Sequence, residues 1–324
     1  MDYLMAMRAF TRTVELGSFS LAAMDLGVKV STISRHVAAL EYDLAATLLN
    51  RSTRRLHLTE AGAVFYERAT HILNAVGDAR AVTTSLNGKP RGLLRINMST
   101  TFGRLHVMPH MKDFIAEYPD IRIDATLTDV MVDMIESGDD VAVRIGALRD
   151  STMVARRLAA HRRVVVASPA YLRNQGSVAQ PGDLAKHNCL ASKTATGDCW
   201  YFRRHSDAST ELYEIAVSGN VRANSSDVLH DAAVAGLGVA LLPSWLVGEN
   251  LRAGRLVPLL GDWDWFAARG PEPAIWGVYP PKKIVSPKVQ ALLAFLALRY
   301  ASPAYWDRPS MEDSSRPTGA EVSG

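Results

Sequence analysis

Residues 18–59 read SFSLAAMDLGVKVSTISRHVAALEYDLAATLLNRSTRRLHLT, and this stretch decides the fold of the N-terminal part. An apolar-periodic segment (Leu21, Ala22, Ala23, Leu26) stops at Gly27-Val28. A second begins at once, with Val30, Ile33, Val37 and Leu40 at spacings of three and four. Residues so spaced share a helix face. These four are therefore expected to point inward, leaving Ser31, Ser34, Arg35 and Ala38 outward. Two short helices across a tight glycine-containing turn form a helix-turn-helix, the unit whose second helix enters the DNA major groove. The outward face is narrow and hydrogen-bonding, and an Arg there can make a bidentate contact with guanine. The plainer alternative is an ordinary solvated helix face.

The residues that follow weigh against that alternative. Arg51, Arg54 and Arg55 fall within a stretch, 50–59, that reads as a turn entering the short alternating strand Leu56-His57-Leu58. Such a hairpin wing carries guanidinium groups to phosphates or into the adjacent minor groove. Between Lys29 and His57 there are five Lys/Arg against two acidic residues, Glu41 and Asp43, while residues 1–88 hold nine against eight. The basic charge is thus focused on the expected recognition surface, which matters more than the net value.

AFTRTVELGSFSLAAMDLGV (9–28), STISRHVAALEYDLAATLLNR (31–51) and LTEAG (58–62) together resemble the N-terminal DNA-binding domain of LysR-type transcriptional regulators. The departure lies at Lys29-Val30-Ser31, where the family more often has Ser-Gln-Pro. Lys29 cannot accept the backbone N–H that a capping Ser would, and Val30 offers DNA only apolar contact. Base preference is therefore not carried over from the family. Lys29, Ser31, Thr32, Ser34, Arg35, Arg51, Arg54 and Arg55 are the candidate DNA contacts.

A chain of 324 residues with 48% apolar and 21% charged residues is an ordinary globular one with ample core material, enough for more than one domain. The formal charge of +3 implies no strong nonspecific attraction to nucleic acid or membrane. MDYLMAMRAF lacks the basic-then-apolar order of a secretory signal. The longest apolar run, around 232–248, is broken by Gly236, Gly238 and Pro243, so no membrane span is expected. Cys189 and Cys199 are too few for a disulfide scaffold and fit a reducing cytoplasm, the expected location.

Residues 60–87 contain no Pro. Phe65, Ala69, Ile72, Val76, Ala79, Thr83 and Leu86 recur at alternating spacings of four and three, a seam suited to a partner helix. A homodimer through 60–87 is expected, the alternative being that this face packs on the chain's own next domain. Asn87-Gly88-Lys89-Pro90-Arg91-Gly92 reads as a hinge. From Leu93 strands and helices alternate. Strands are expected at 94–98, 121–127, 141–145, 163–167, 188–192, 213–221, 239–242 and 275–279. Helices are expected at 103–118, 129–137, from 169, at 225–235 and at 287–300. Repeated β-α-β units imply a parallel sheet covered by helices. The order VDMIESGDDVAVRIGALRDSTMVARRL (132–158), VVVASPAYL (164–172), AVAGLGVALLPSWLV (233–247) and AGRLVPLL (253–260) resembles the LysR-type effector-binding domain, itself similar to periplasmic solute-binding proteins.

The fold class expected is therefore α/β with an N-terminal all-α winged helix-turn-helix. The divisions are 1–59 for DNA binding, 60–88 for the dimerisation helix and 89–301 for an effector domain. That domain has one lobe at 92–162 and 270–301 and another at 163–269. Residues 302–324, rich in Pro, Ser, Gly and charge, are expected to be unstructured.

A ligand is expected in the cleft between lobes. Ser99, Thr100 and Thr101 follow the first strand and precede a helix, whose N-terminus favours an anion; simple capping by Ser99 or Thr101 is the alternative. Thr128, Ile145 and Gly146 are expected on the same edge. Thr194, Ala195, Thr196, Asn224 and Ser225 are the candidates from the second lobe. No nucleotide-binding glycine motif, zinc-protease motif, nucleophile elbow or paired CxxC is present. No cofactor, metal or catalytic activity is expected. The expected partners are double-stranded operator DNA, a small carboxylate or aromatic effector, and further copies of the chain, up to a tetramer as the resemblance implies. The rival reading is a cytoplasmic small-molecule-binding or catalytic α/β domain carrying an N-terminal interaction module.

Overall fold

The computed structural model describes residues 1–51, 56–84, 89–130, 133–148, 152–193, 198–206, 211–281 and 285–307. The chain divides into two compact units, Met1–Gly92 and the remainder from Leu93.

In the first unit, helices Tyr3–Leu16, Phe19–Asp25 and Val30–Asp43 precede a two-stranded ribbon, Leu49–Arg51 with Leu56–Leu58, and then helix Glu60–Thr84. The first helix is capped by the Asp2 carboxylate, which accepts from Met5 N, and the second by the Ser18 hydroxyl, which accepts from Leu21 N. Lys29 occupies the N-cap of the third helix without a side-chain bond, as its chemistry requires. Gly27, at φ +65, makes the left-handed turn between the second and third helices. Ile33, Val37 and Leu40 are buried with Phe10, Ala22 and Ala23. Val30, expected inward, is 44% exposed, at the first position of its helix.

LTEAG seats the long helix. The Thr59 hydroxyl accepts from Gly62 N (2.9 Å) and donates to the Thr47 carbonyl (2.6 Å), capping the helix while pinning the loop before the wing. A Cβ at Gly62 would run into the Leu48 carbonyl, so the helix approaches the wing only with glycine there. The seam expected for a partner helix is divided in use. Phe65 meets Phe10 edge-on (ring centroids 5.6 Å apart) in the chain's own helical core, and Ala69 is fully buried. Ile72, one step further, is 44% exposed. Leu86 lies outside the described residues.

The second unit contains two sheets. The first is five-stranded, in the order Ile121–Leu127, Gly92–Met98, Val141–Gly146, Ala274–Tyr279, Val154–Ala160. It is mixed, not parallel as expected: Ala274–Tyr279 runs antiparallel to both of its neighbours. The edge strand Val154–Ala160 was not foreseen. Its Val-Ala-Arg-Arg start is exposed at the sheet edge and shows no two-residue alternation, and only Leu158 and Ala159 reach the core. The helical run before Pro119 begins at Thr100, earlier than expected, with a π-turn at Gly103–Val107 and a 3₁₀ turn at Met108–His110. Pro109 has no amide to continue an α-helical ladder there. Of the helix expected at 129–137 the described residues show Met134–Ser137, whose start is capped by the Asp133 carboxylate accepting from Glu136 N, while the Thr128 hydroxyl accepts from Val130 N before it; 131 and 132 lie outside the described residues.

The second sheet runs Tyr213–Ala216, Cys199–Arg204, Trp263–Phe266, Arg163–Ala167, Val239–Pro243, Cys189–Ser192, Arg222–Ala223, with Val257–Leu259 also on Arg163–Ala167. It too is mixed. The chain passes from the first sheet to the second at 161–162 and returns at 267–273, so the two lobes share a double crossing. Helix Ser244–Arg252 leaves the second sheet, yet its Trp245 and Leu246 are buried in the first lobe's core. Residues 302–307, expected to be unstructured, fold onto that core. Ala304 and Trp306 are buried against Phe102, His106 and Tyr300, because Trp306 carries more apolar surface than the polar residues around it suggest.

Candidate functional site

Two places have the geometry of a binding site, one in each unit. In the first, helix Val30–Asp43 turns Ile33, Val37 and Leu40 to the core and so presents Ser31, Ser34 and Arg35 on its other side. Lys29, Ser31 and Arg35 are exposed; Thr32 and Ser34 are half-buried. Arg35 makes no hydrogen bond or ion pair among the described residues, so its five donors remain available to a ligand. The two acidic residues of this region are engaged elsewhere. The Glu41 carboxylate accepts from Leu48 N (2.8 Å) and Leu49 N (3.1 Å), fixing the approach to the wing. Asp43 accepts from the Tyr3 hydroxyl (2.6 Å). A bidentate pair of Arg12 on Asp25 (2.6 Å for both bonds) ties the first helix to the second and neutralises another carboxylate. Arg51 lies opposite Leu56 in the ribbon; Arg54 and Arg55 lie outside the described residues.

In the second unit a cavity of about 930 Å³ opens between the lobes. Of the residues expected there, Ser99, Thr101, Thr128, Ile145, Gly146, Asn224 and Ser225 line it. Thr100 does not. It is exposed, and its amide donates to the Asp129 carboxylate (3.1 Å). Thr194, Ala195 and Thr196 lie outside the described residues. The turn at Ser99–Thr101 is also less free for an anion than expected, because the Thr101 hydroxyl already donates to Asp227 from the other lobe.

Sequence reasoning missed the groups that give this cavity its polarity. Arg144, His161, Arg163, Trp245 and Trp276 all line it. Arg163 begins a strand that is otherwise Val-Val-Val-Ala, and burial pushes its guanidinium down to about 10. Burial also lowers the Arg144 pKa, against the opposing field of Asp139. His161 is pushed down to about 3 by burial, with the neighbouring Arg163 charge acting in the same direction. It is therefore neutral at physiological pH and accepts at Nδ1 from the Trp245 indole (3.2 Å). The signal was present in the chain: a charged residue interrupting the apolar run Val141-Ala-Val-Arg-Ile, and His161-Arg162-Arg163 directly before another. Charge inside a buried strand needs a reason.

Cys189 is not a reactive centre of the kind a lowered pKa creates. Burial pushes the Cys189 thiol up to about 12, and Cys189 and Cys199 are both unpaired. Among the described residues no cluster of metal-ligating side chains occurs. No described helix is long and apolar enough to cross a membrane.

Residues 4–63 match the family model described as bacterial regulatory helix-turn-helix protein, lysR family, and residues 87–300 match the LysR substrate binding domain. An HTH-type transcriptional regulator of Xanthomonas campestris pv. campestris is 36% identical over 292 residues, covering 90% of this chain and 83% of that protein. The HTH-type transcriptional regulator PtxR of Pseudomonas aeruginosa is 33% identical, covering 89% of this chain and 90% of its own. Among solved structures, CrgA of Neisseria meningitidis, a LysR-type transcriptional regulator, superposes with a TM-score of 0.54. It is 31% identical and covers 91% of this chain and 97% of its own.

Proposed function

The chain belongs to the LysR-type family of transcriptional regulators, and from that premise we propose how its own residues perform the task. Ser31, Ser34 and Arg35 read base edges from the major groove, with Thr32 and Lys29 at the groove's margin. Arg51, Arg54 and Arg55 of the wing contact the flanking backbone or minor groove. The observation that carries this reading is Arg35, without a partner among the described residues and exposed on a helix whose Ile33, Val37 and Leu40 are buried on the other side.

Regulators of this family bind operator DNA and small-molecule effectors and form oligomers. In this protein we assign the dimer contact to the later part of helix Glu60–Thr84, from Ile72 onward, since Phe65 is packed on the unit's own core, Ala69 is already buried and Ile72 is exposed. Assembly to a tetramer through the effector domains follows the family pattern. A two-fold dimer matches half-sites about one helical turn apart. A small carboxylate or aromatic molecule in the cleft favours one relative setting of the lobes, and its differential affinity for two settings is what regulates. The protein works in the cytoplasm, where its DNA is, by binding and not by catalysis.

The test is footprinting of the full chain on the DNA flanking its own gene. Paired protected half-sites support the reading. Uniform weak protection, with affinity that falls with salt and shows no site, rejects it.

A further inference from the structure

We propose that the ligand of the interlobe cavity is a monocarboxylate on an apolar body, its carboxylate held between Arg144 and Arg163. This rests on reading the cavity as the effector site, and it commits to which end of the cavity takes which part of the molecule.

Arg163 donates one hydrogen bond, to the Leu241 carbonyl (3.2 Å), and makes no ion pair among the described residues. Arg144 makes neither among them. Both face the cavity, one from each lobe. A guanidinium carries five donors in a fixed fork. Donors sheltered from bulk water and left without acceptors are costly, and a planar carboxylate fits the fork with two parallel bonds. Burial lowers the pKa of each arginine, for Arg144 against the field of Asp139, so both guanidiniums are partly withdrawn from water. His161 adds a neutral donor. Because Nδ1 accepts from Trp245, the ring proton sits on Nε2, and His161 lines the same cavity.

The cavity's carboxylates are in the opposite condition. Asp129 accepts from Thr100 N, Asp133 from Glu136 N and Asp227 from the Thr101 hydroxyl. Their lone pairs have donors, so the unmet demand in the cavity is for an acceptor. The formal sum of three acids against two arginines would point the other way. Hydrogen-bond satisfaction decides, since an exposed or well-donated carboxylate is stable as it stands whereas an enclosed guanidinium without acceptors is not.

The apolar half follows from the strand register. Arg144 lies opposite Trp276 and Ala142 opposite Val278, so all four share one sheet face, the face away from the first lobe's main core. Met134, Leu148 and Met153 pack there with Trp276 and line the cavity. A ligand whose carboxylate meets Arg144 thus lays its body along an indole and three flexible apolar side chains. Methionines there adapt to shape better than branched residues would.

The test uses the full chain and three acids, benzoate, phenylacetate and hexanoate, each beside its amide, with inorganic phosphate as a further arm. Thermal midpoint and the fluorescence of the cavity tryptophans are read together. At least one acid is expected to raise the midpoint while its amide does not. R163M and R144Q should each weaken that acid about tenfold or more, as loss of a charge-assisted pair implies. R163K, which keeps the charge without the fork, should fall between wild type and R163M, and this guards against misfolding of the larger change. D129N should not weaken binding. No response to any acid, equal response to the amides, equal response to phosphate, or unchanged affinity in R144Q would each overturn the proposal. Acid binding that persists in a chain failing to footprint DNA would reject the regulator reading and leave this inference standing.

Discussion

Thr101 and Asp227 are joined across the cleft: the hydroxyl on the first helical turn of one lobe donates to the carboxylate on the first turn of helix Ser226–Val234 in the other. Both residues line the cavity. Removal of the bond is expected to loosen one lobe against the other without touching either core. Thr101→Val and Asp227→Ala should each destabilise the chain, and the double variant should lose no more than about 1.5–3 kcal/mol, the range for a hydrogen bond to a charged group. A double-mutant cycle in urea checks this, and full additivity would show the two side chains to be uncoupled.

Gly62 meets the Leu48 backbone so closely that any Cβ must displace the wing. Gly62→Ala is expected to cost about 1–3 kcal/mol, as overpacking does. It should weaken DNA binding at the same time, because the wing is the part displaced. Urea unfolding of the variant, monitored beside a mobility-shift titration, should show both losses together.

Trp306 is buried among Phe102, His106, Tyr300 and Tyr305 although it lies beyond the last long helix. Trp306→Ala should cost about 3–5 kcal/mol. A chain ending at Ala301 should lose a comparable amount, while one ending at Asp307 should keep its midpoint. Equal stability of all three would show that the segment contributes no packing.

His106 and His161 are held down to about 4 and about 3, chiefly by burial. Their unfolded pKa lies near 6.5. Between those limits the unfolded chain takes up protons that the folded one refuses, so stability is full above ~6.5 and is lost as pH falls toward 4. Each histidine contributes a slope approaching about 1.4 kcal/mol per pH unit in that window. His106 accepts at Nδ1 from the Tyr305 hydroxyl (2.6 Å) and donates from Nε2 to the Trp245 carbonyl (3.0 Å), so His106→Gln should flatten the dependence at some cost in stability. Unfolding free energies measured from pH 7 to pH 4.5 give the slope.

The first unit was legible because its rules are local. Ile33, Val37 and Leu40 obey helical spacing, Gly27 sits where a left-handed turn is needed, and Thr59 and Gly62 mark the next helix start. Val30 escaped because a spacing rule does not say whether the first position of a helix is covered. The second unit's sheet faces were legible strand by strand, while the direction of Ala274–Tyr279 was not. That strand pairs with partners more than a hundred residues away, and nothing in its own residues distinguishes parallel from antiparallel. For the cavity, Ser99, Thr101 and Thr128 could be placed by their position after strands. Arg144, His161 and Arg163 left a signal, charge inside or beside apolar strands, but which face of the sheet they point from is settled only by strand pairing in the folded chain. Residues 302–307 were misjudged because composition counted Pro, Ser and charge and gave too little weight to one tryptophan; 308–324 lie outside the described residues.

Whether Arg35 reads DNA sequence is decided by the ratio of operator to nonspecific affinity for wild type and Arg35→Ala at one fixed salt concentration. The ratio should fall by about 1–3 kcal/mol in the variant while nonspecific affinity changes little. An unchanged ratio, in a variant shown to be folded, would contradict that role.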